Sequence, residues 1–147
     1  MIKAAQKWAK ALGSDGCYFL ALCYIAEDAT GRSLDVLREF DKARALGYVG
    51  DDAFIVDAGK LYTLLYGASS KRFGVWKSGD GHPLPLDYKL LPTEREVLRF
   101  EYTDTGGKTW AHFVVGDGSG RCVYDPEGAS NCVTKGKLVS RRIIRSV

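Results

Sequence analysis

Three residues of this sequence have the types and the setting for nucleophilic catalysis: Cys17, His112 and Asp125. Cys17 follows a turn-rich tetrad, Gly13 to Gly16, and opens an apolar run from Tyr18 to Ala26 that no polar stripe interrupts. A helix apolar all round is a buried helix. Cys17 at its N-terminus would sit beside unpaired N–H groups and about half a positive charge. That field favours a thiolate, and it also stabilises an oxyanion. His112 lies in a strand candidate, Thr109 to Gly116, and Asp125 follows the next one, Arg121 to Tyr124. The 13 residues from His112 to Asp125 carry a tight antiparallel hairpin out and back, so the two finish near the same end of a sheet. A cysteine nucleophile needs a base, and the base needs a carboxylate or amide to fix its tautomer and orientation.

Each residue also has an ordinary reading. Free cysteine is commonly a small buried hydrophobe, and Cys23, inside the apolar run, fits that description. A lone histidine on a strand is commonly a core or cross-strand residue. Asp-Pro commonly starts a turn. The conjunction of the three points to chemistry. His82, in a Gly79 to Pro85 loop, is a weaker candidate base. With Trp110, and with Trp76 and Tyr88, it is a candidate to line a cleft, although aromatics in strands usually pack.

The elements that position these residues follow from periodicity. Ile2, Ala5, Trp8, Ala9 and Leu12 recur at helical spacing, so residues 2 to 12 read as an amphipathic helix ended by Gly13. The central helix comes next. Ser33 is a good N-cap for a third helix with Asp35 in its first turn, an apolar face of Leu34, Leu37, Phe40 and Ala43, and a stop at Gly47. A fourth starts at Gly50-Asp51-Asp52, buries Phe54, Ala58, Leu61 and Leu65, and ends at Gly67. From about residue 70 strands take over: Phe73 to Lys77, Val97 to Thr103, Thr109 to Gly116, Arg121 to Tyr124, and then residues 132 to 134 and 137 to 145. Asp104 to Gly107, Asp117 to Gly120 and Asp125 to Gly128 are the turns. Helices first and antiparallel strands after is an α+β pattern, with a buried central helix packed on a C-terminal antiparallel sheet.

Composition narrows the function. The chain of 147 residues is expected to form one domain, 1–147, with 46% apolar and 27% charged residues, as in an ordinary globular protein. A net charge of +3 does not imply nucleic acid. The Arg141-Arg142 to Arg145 cluster, interleaved with Ile143 and Ile144, reads as an edge strand with solvated charges. Residues 1 to 12 lack the apolar core of a secretory signal, and the apolar run is too short to span a bilayer, so a cytoplasmic, membrane-free location is expected, with a phage association left open. Neither cysteine spacing, 17/23 or 122/132, is a metal motif, so no metal or cofactor is expected. Reduced thiols are expected, with a Cys122–Cys132 bridge as the minor alternative.

The sequence resembles the papain-like cysteine peptidases, in particular the small bacterial and phage branch that includes bacteriocin-leader and cell-wall peptidases. The residues that carry the resemblance are Gly16-Cys17-Tyr18-Phe19-Leu20, Ala111-His112-Phe113-Val114-Val115 and Val123-Tyr124-Asp125-Pro126. The resemblance implies a papain-like fold and hydrolysis of a peptide or isopeptide bond in a peptide or protein substrate. It implies Cys17 as nucleophile, His112 as base and then acid, and Asp125 as orienting group. The family's oxyanion hole often adds a glutamine about six residues before the cysteine, but position 11 here is alanine. Gln6 and Ser14 are the upstream candidates, with Asp15 the poorer choice because a carboxylate repels an oxyanion. Two other readings stand beside hydrolysis: an inactive binding or accessory protein on the same scaffold, and an acyltransferase using the same triad. Substrate and oligomeric state are not specified.

Overall fold

The computed structural model describes Leu12 and residues 16–147. The elements, in chain order, are helices α1 (Gly16–Thr30), α2 (Val36–Ala45) and α3 (Ala58–Tyr66), strands β1 (Phe73–Ser78), β2 (Arg95–Thr103), β3 (Thr109–Gly116) and β4 (Cys122–Tyr124), a short helix α4 (Asn131–Thr134), and strand β5 (Lys137–Ser146). The architecture is α+β. The five strands form one sheet in the order β1-β5-β2-β3-β4, and every pairing is antiparallel.

The apolar run folds as the sequence suggests. Phe19, Leu20, Ala21, Leu22, Ile25 and Ala26 on α1 are all buried. They join Leu61, Tyr62 and Leu65 of α3 and Val97, Val115 and Ile144 of the sheet in one core. Cys23 belongs to this core, and burial, helped by the nearby Glu27 carboxylate, pushes its thiol well above the usual range. Tyr18 stacks on Phe113 and Tyr24 on Tyr124, with ring centroids 4.5 and 4.3 Å apart, which fixes α1 against β3 and β4.

Several boundaries differ from the sequence reading, each for a local reason. The cap of α2 is Asp35, whose Oδ1 accepts from the Arg38 N–H at 3.3 Å. Ser33 is not the cap, because the adjoining Leu34 N–H donates to Glu27 Oε2 at 3.1 Å and holds this stretch against the end of α1. Leu37 turns outward, at 38% exposure, while Val36, Phe40 and Ala43 face in. The fourth predicted helix starts later, at Ala58, capped by Asp57 Oδ1 accepting from Lys60 N–H at 3.0 Å. Residues 50 to 54 close a turn instead, with Ala53 N–H donating to Gly50 O and Gly50 N–H to Phe54 O. Phe54 is therefore 63% exposed rather than part of a helix face. Gly67 ends α3 as read.

Residues 132 to 134 belong to α4, not to a strand; Thr134 N–H closes the turn on Ser130 O at 3.1 Å. The arginine-rich strand is not an edge. β5 lies between β1 and β2, and Arg141 and Arg142 are buried. Arg141 is tolerated there because its donors find acceptors inside the protein. Arg141 reaches Glu96 Oε1 at 2.6 Å and the carbonyls of Leu86, Tyr88 and Gly118. Arg145 pairs with Glu94 at 2.5 Å and lies over the Trp76 ring. All four cysteines are free, so no Cys122–Cys132 bridge forms. The helix expected over residues 2 to 12 lies outside the described residues. Among the described residues, no helix is long and apolar enough to cross a membrane.

Candidate active site

Cys17 occupies the second position of α1 and is buried at 7% exposure. The residue before it has to be small: a Cβ on Gly16 would stand 2.6 Å from the Leu12 Cβ. The glycine thus lets Leu12 pack closely against the start of the helix that carries the thiol.

His112 sits within β3, paired with Phe100 of β2. One irregularity lies at its partner Phe100 and another three residues further along β3. The β3–β4 register shifts between Val115 and Gly116, and the β2–β5 register shifts between Arg99 and Phe100. Such bulges bend and twist strands and re-aim the side chains beside them. The chain leaves β4 at Tyr124 and turns at once, with Gly128 N–H donating to Asp125 O at 2.8 Å.

The structure brings the three residues together. His112 Nε2 lies 2.6 Å from Asp125 Oδ1, with both side chains 5% exposed. The Cys17 thiol is hydrogen-bonded to His112. Because Nε2 is engaged by Asp125, the contact with Cys17 falls to Nδ1. Burial acts against the imidazolium, but the Asp125 hydrogen bond, the Cys17 contact and the charges of both outweigh it, and the His112 pKa rises to about 10. Asp125 is itself anchored: Oδ1 also accepts from Glu127 N–H at 2.9 Å, and Oδ2 from the Ser130 hydroxyl at 2.9 Å. Burial alone would raise its carboxyl; these donors and His112 hold it below the usual value. The carboxylate therefore stays ionised and directed at the ring.

Sequence reasoning missed the Glu127 N–H and Ser130. The first had a signal, since an aspartate before proline commonly accepts from the backbone two residues on. Ser130 had none, because it reaches Asp125 only once the turn and the start of α4 are built.

Cys17 opens onto a cavity of about 700 Å³. One wall is the segment from Phe54 to Lys60; the other is the sheet, through Ala111, Phe113, Val75, Lys77, Arg99 and Arg142. The walls are held together by a close approach of α3 to β1. A Cβ on Gly59 would meet the Phe73 carbonyl oxygen at 2.8 Å, and the Thr63 hydroxyl donates to Gly59 O and accepts from Phe73 N–H. His82 and Trp110 do not line this cavity. His82 stays in its loop, its N–H on Gly79 O, and Trp110 is 47% exposed with Nε1 donating to Asp104 Oδ2. Trp76 lies under Arg145, and Tyr88 hydrogen-bonds Glu94. Gln6, Ser14 and Asp15 lie outside the described residues. Among the described residues, no group of three or more His, Cys, Asp or Glu side chains is placed to hold a metal ion.

A family model, DUF261, described as a protein of unknown function, matches residues 2–146. The chain belongs to that family. No curated protein and no solved structure matches it.

Proposed function

We propose that this protein is a cysteine hydrolase of papain-like type that cleaves a peptide or isopeptide bond through Cys17, His112 and Asp125. One observation carries the reading: a cysteine at the head of a buried helix contacts a histidine whose other nitrogen is held by an anchored, ionised aspartate. The element order supports it, with the cysteine on a helix and the histidine and aspartate on and just after neighbouring strands of an antiparallel sheet.

The steps follow from the geometry. His112 is protonated up to high pH and contacts Cys17, so it is placed to act as the cationic partner of the reacting sulfur. The sulfur attacks an amide carbonyl presented from the cavity. The developing oxyanion meets the Cys17 N–H at the start of α1 and the positive end of that helix. His112 gives its proton to the departing amine, leaving a thioester on Cys17. It then takes a proton from water, whose attack releases the acid. Asp125 keeps the ring oriented throughout.

The test is the pH profile of Cys17 alkylation by iodoacetamide, followed by mass spectrometry, in the wild type and in His112→Ala. Rapid labelling at pH 6 is expected in the wild type, falling by about a hundredfold in the variant. Slow labelling, or labelling indifferent to the substitution, would overturn the hydrolase reading and leave a binding scaffold.

A further inference from the structure

The cavity beside Cys17 carries a pronounced charge asymmetry. Lys60, Lys77, Arg99 and Arg142 line it, against a single carboxylate, Asp57. Asp57 already caps α3 through Oδ1, and Arg99 already pairs with Glu101 at 2.6 Å. Arg142 is the informative member. It is 92% buried (8% exposed), yet among the described residues no carboxylate forms an ion pair with it. Its Nη1 donates to the Ser140 hydroxyl, Tyr18 supplies a second hydrogen bond, and the Phe113 ring lies under the guanidinium at 5.4 Å. Its Nε has no partner. A buried guanidinium with no ion-pair partner, the Asp80 carboxylate acting on it only from beyond contact distance, and with one hydrogen bond unmade is costly, and a native protein keeps such a group where something else completes it. Burial, with Arg99 close by, already depresses its basicity, so a bound anion would relieve a real electrostatic deficit. The ring beneath it and the fork of donors suit a planar, two-oxygen group.

We propose that Arg142, with Arg99 and Lys77 around it, forms a subsite for a carboxylate of the substrate, adjoining the amide set against Cys17. The subsite rests on the hydrolase reading for its connection to catalysis. Two sources share this chemistry: an aspartate or glutamate side chain, and a free α-carboxylate at a peptide C-terminus. Exposed Phe54 and Val56 on the facing wall would cover the apolar part of the same substrate segment.

Alkylating probes test the subsite because each reports on Cys17 directly: its sulfur bonds to the methylene carbon and iodide leaves. N-iodoacetyl-glycine, with a free α-carboxylate, is compared with N-iodoacetyl-glycinamide. N-iodoacetyl-glutamic acid α-amide, with a side-chain carboxylate, is compared with its glutamine twin. In the wild type at low ionic strength, one acid is expected to react about tenfold faster than its amide, a difference of about 1.4 kcal/mol. The arm showing the preference identifies the carboxylate source. The ratio is expected to collapse towards the residual pull of His112 in Arg142→Gln, and to be partly retained in Arg142→Lys. Each ratio is internal to one variant, so loss of folded protein does not distort it. Equal rates for both acid–amide pairs in the wild type would overturn the subsite, as would a preference that survives both substitutions. The hydrolase reading fails separately: labelling indifferent to His112→Ala, with an acid preference still lost in Arg142→Gln, would leave a carboxylate-binding pocket with no catalytic cysteine.

Discussion

Arg141 and Arg142 are consecutive residues of one interior strand, both buried, and they serve opposite ends. Arg141 has a carboxylate at 2.6 Å and three carbonyls around it, and Glu96 opposite is equally occupied, by Arg141 and by the N–H groups of Gly118 and Gly120. Arg142 turns to the other face, borders the Cys17 cavity, and has neither a carboxylate in contact, Asp80 acting only from a distance, nor a partner for Nε. The triad resembles Arg141 in its completeness: Asp125 has three donors on its two oxygens, His112 among them. Buried charge that is fully partnered supports the fold or sets up a reactive group. Buried charge left short of partners beside a cavity is the feature on which the proposed carboxylate subsite rests.

The largest effect is expected from Glu96→Ala, which strands Arg141 in the interior. Breaking a buried pair by removing one partner costs about 3–5 kcal/mol, which for a domain of this size lowers Tm by about 10 °C. Thermal unfolding of the purified variant checks it. A double replacement, Glu96→Leu with Arg141→Met, is expected to recover most of that loss, since well-packed apolar residues can replace a buried ion pair. No comparable apolar rescue is expected for the acid preference of Arg142.

A smaller effect separates the two kinds of charge by pH. His112 is raised from 6.5 to about 10, so the stability it contributes is full below pH 6.5 and is lost between pH 6.5 and about 10. Asp125 is lowered, so its contribution is present above 3.8 and is lost as pH falls below that value. The Tm difference between the wild type and His112→Gln is therefore expected to be greatest between those two limits and to shrink towards pH 10. A difference that grows with pH would contradict the Asp125–His112 arrangement. The smallest effect is expected from Ser130→Ala, which removes one donor from Asp125 Oδ2 and lowers stability by about 0.5–1.5 kcal/mol. The variant's signature is an acid limb of Cys17 alkylation moved to higher pH, which a purely structural serine would not produce.

That Cys17, His112 and Asp125 come together was legible in the sequence from local markers: glycine before Cys17, tight turns around the strand of His112, and Asp-Pro at 125. The antiparallel sheet was legible for the same reason. The place of β5 was not. Arg141, Arg142 and Arg145 read as solvated because nothing local reveals that Glu96 and Glu94, far back in the chain, wait to receive two of them. The cavity wall from Phe54 to Lys60 was hidden too. Its aromatic and apolar residues match a helix period, while the Gly50–Ala53 turn and the Asp57 cap override that period. The extra arginine of the pocket was concealed in the same charged run that suggested an edge.

The strand order has a consequence for how the molecule is assembled. The last strand in the chain fills the middle of the sheet, so β1 stays apart from β2 until it arrives; Phe73 finds its partner only at Ser146. The β2–β3 hairpin closes over a short span of chain, whereas the β1–β5 pairing closes over a long one and is expected to form more slowly. Arg142 travels with that late strand. The cleft floor is therefore complete only once β5 is in place, and a chain without that strand carries the cysteine without Arg142 beside it.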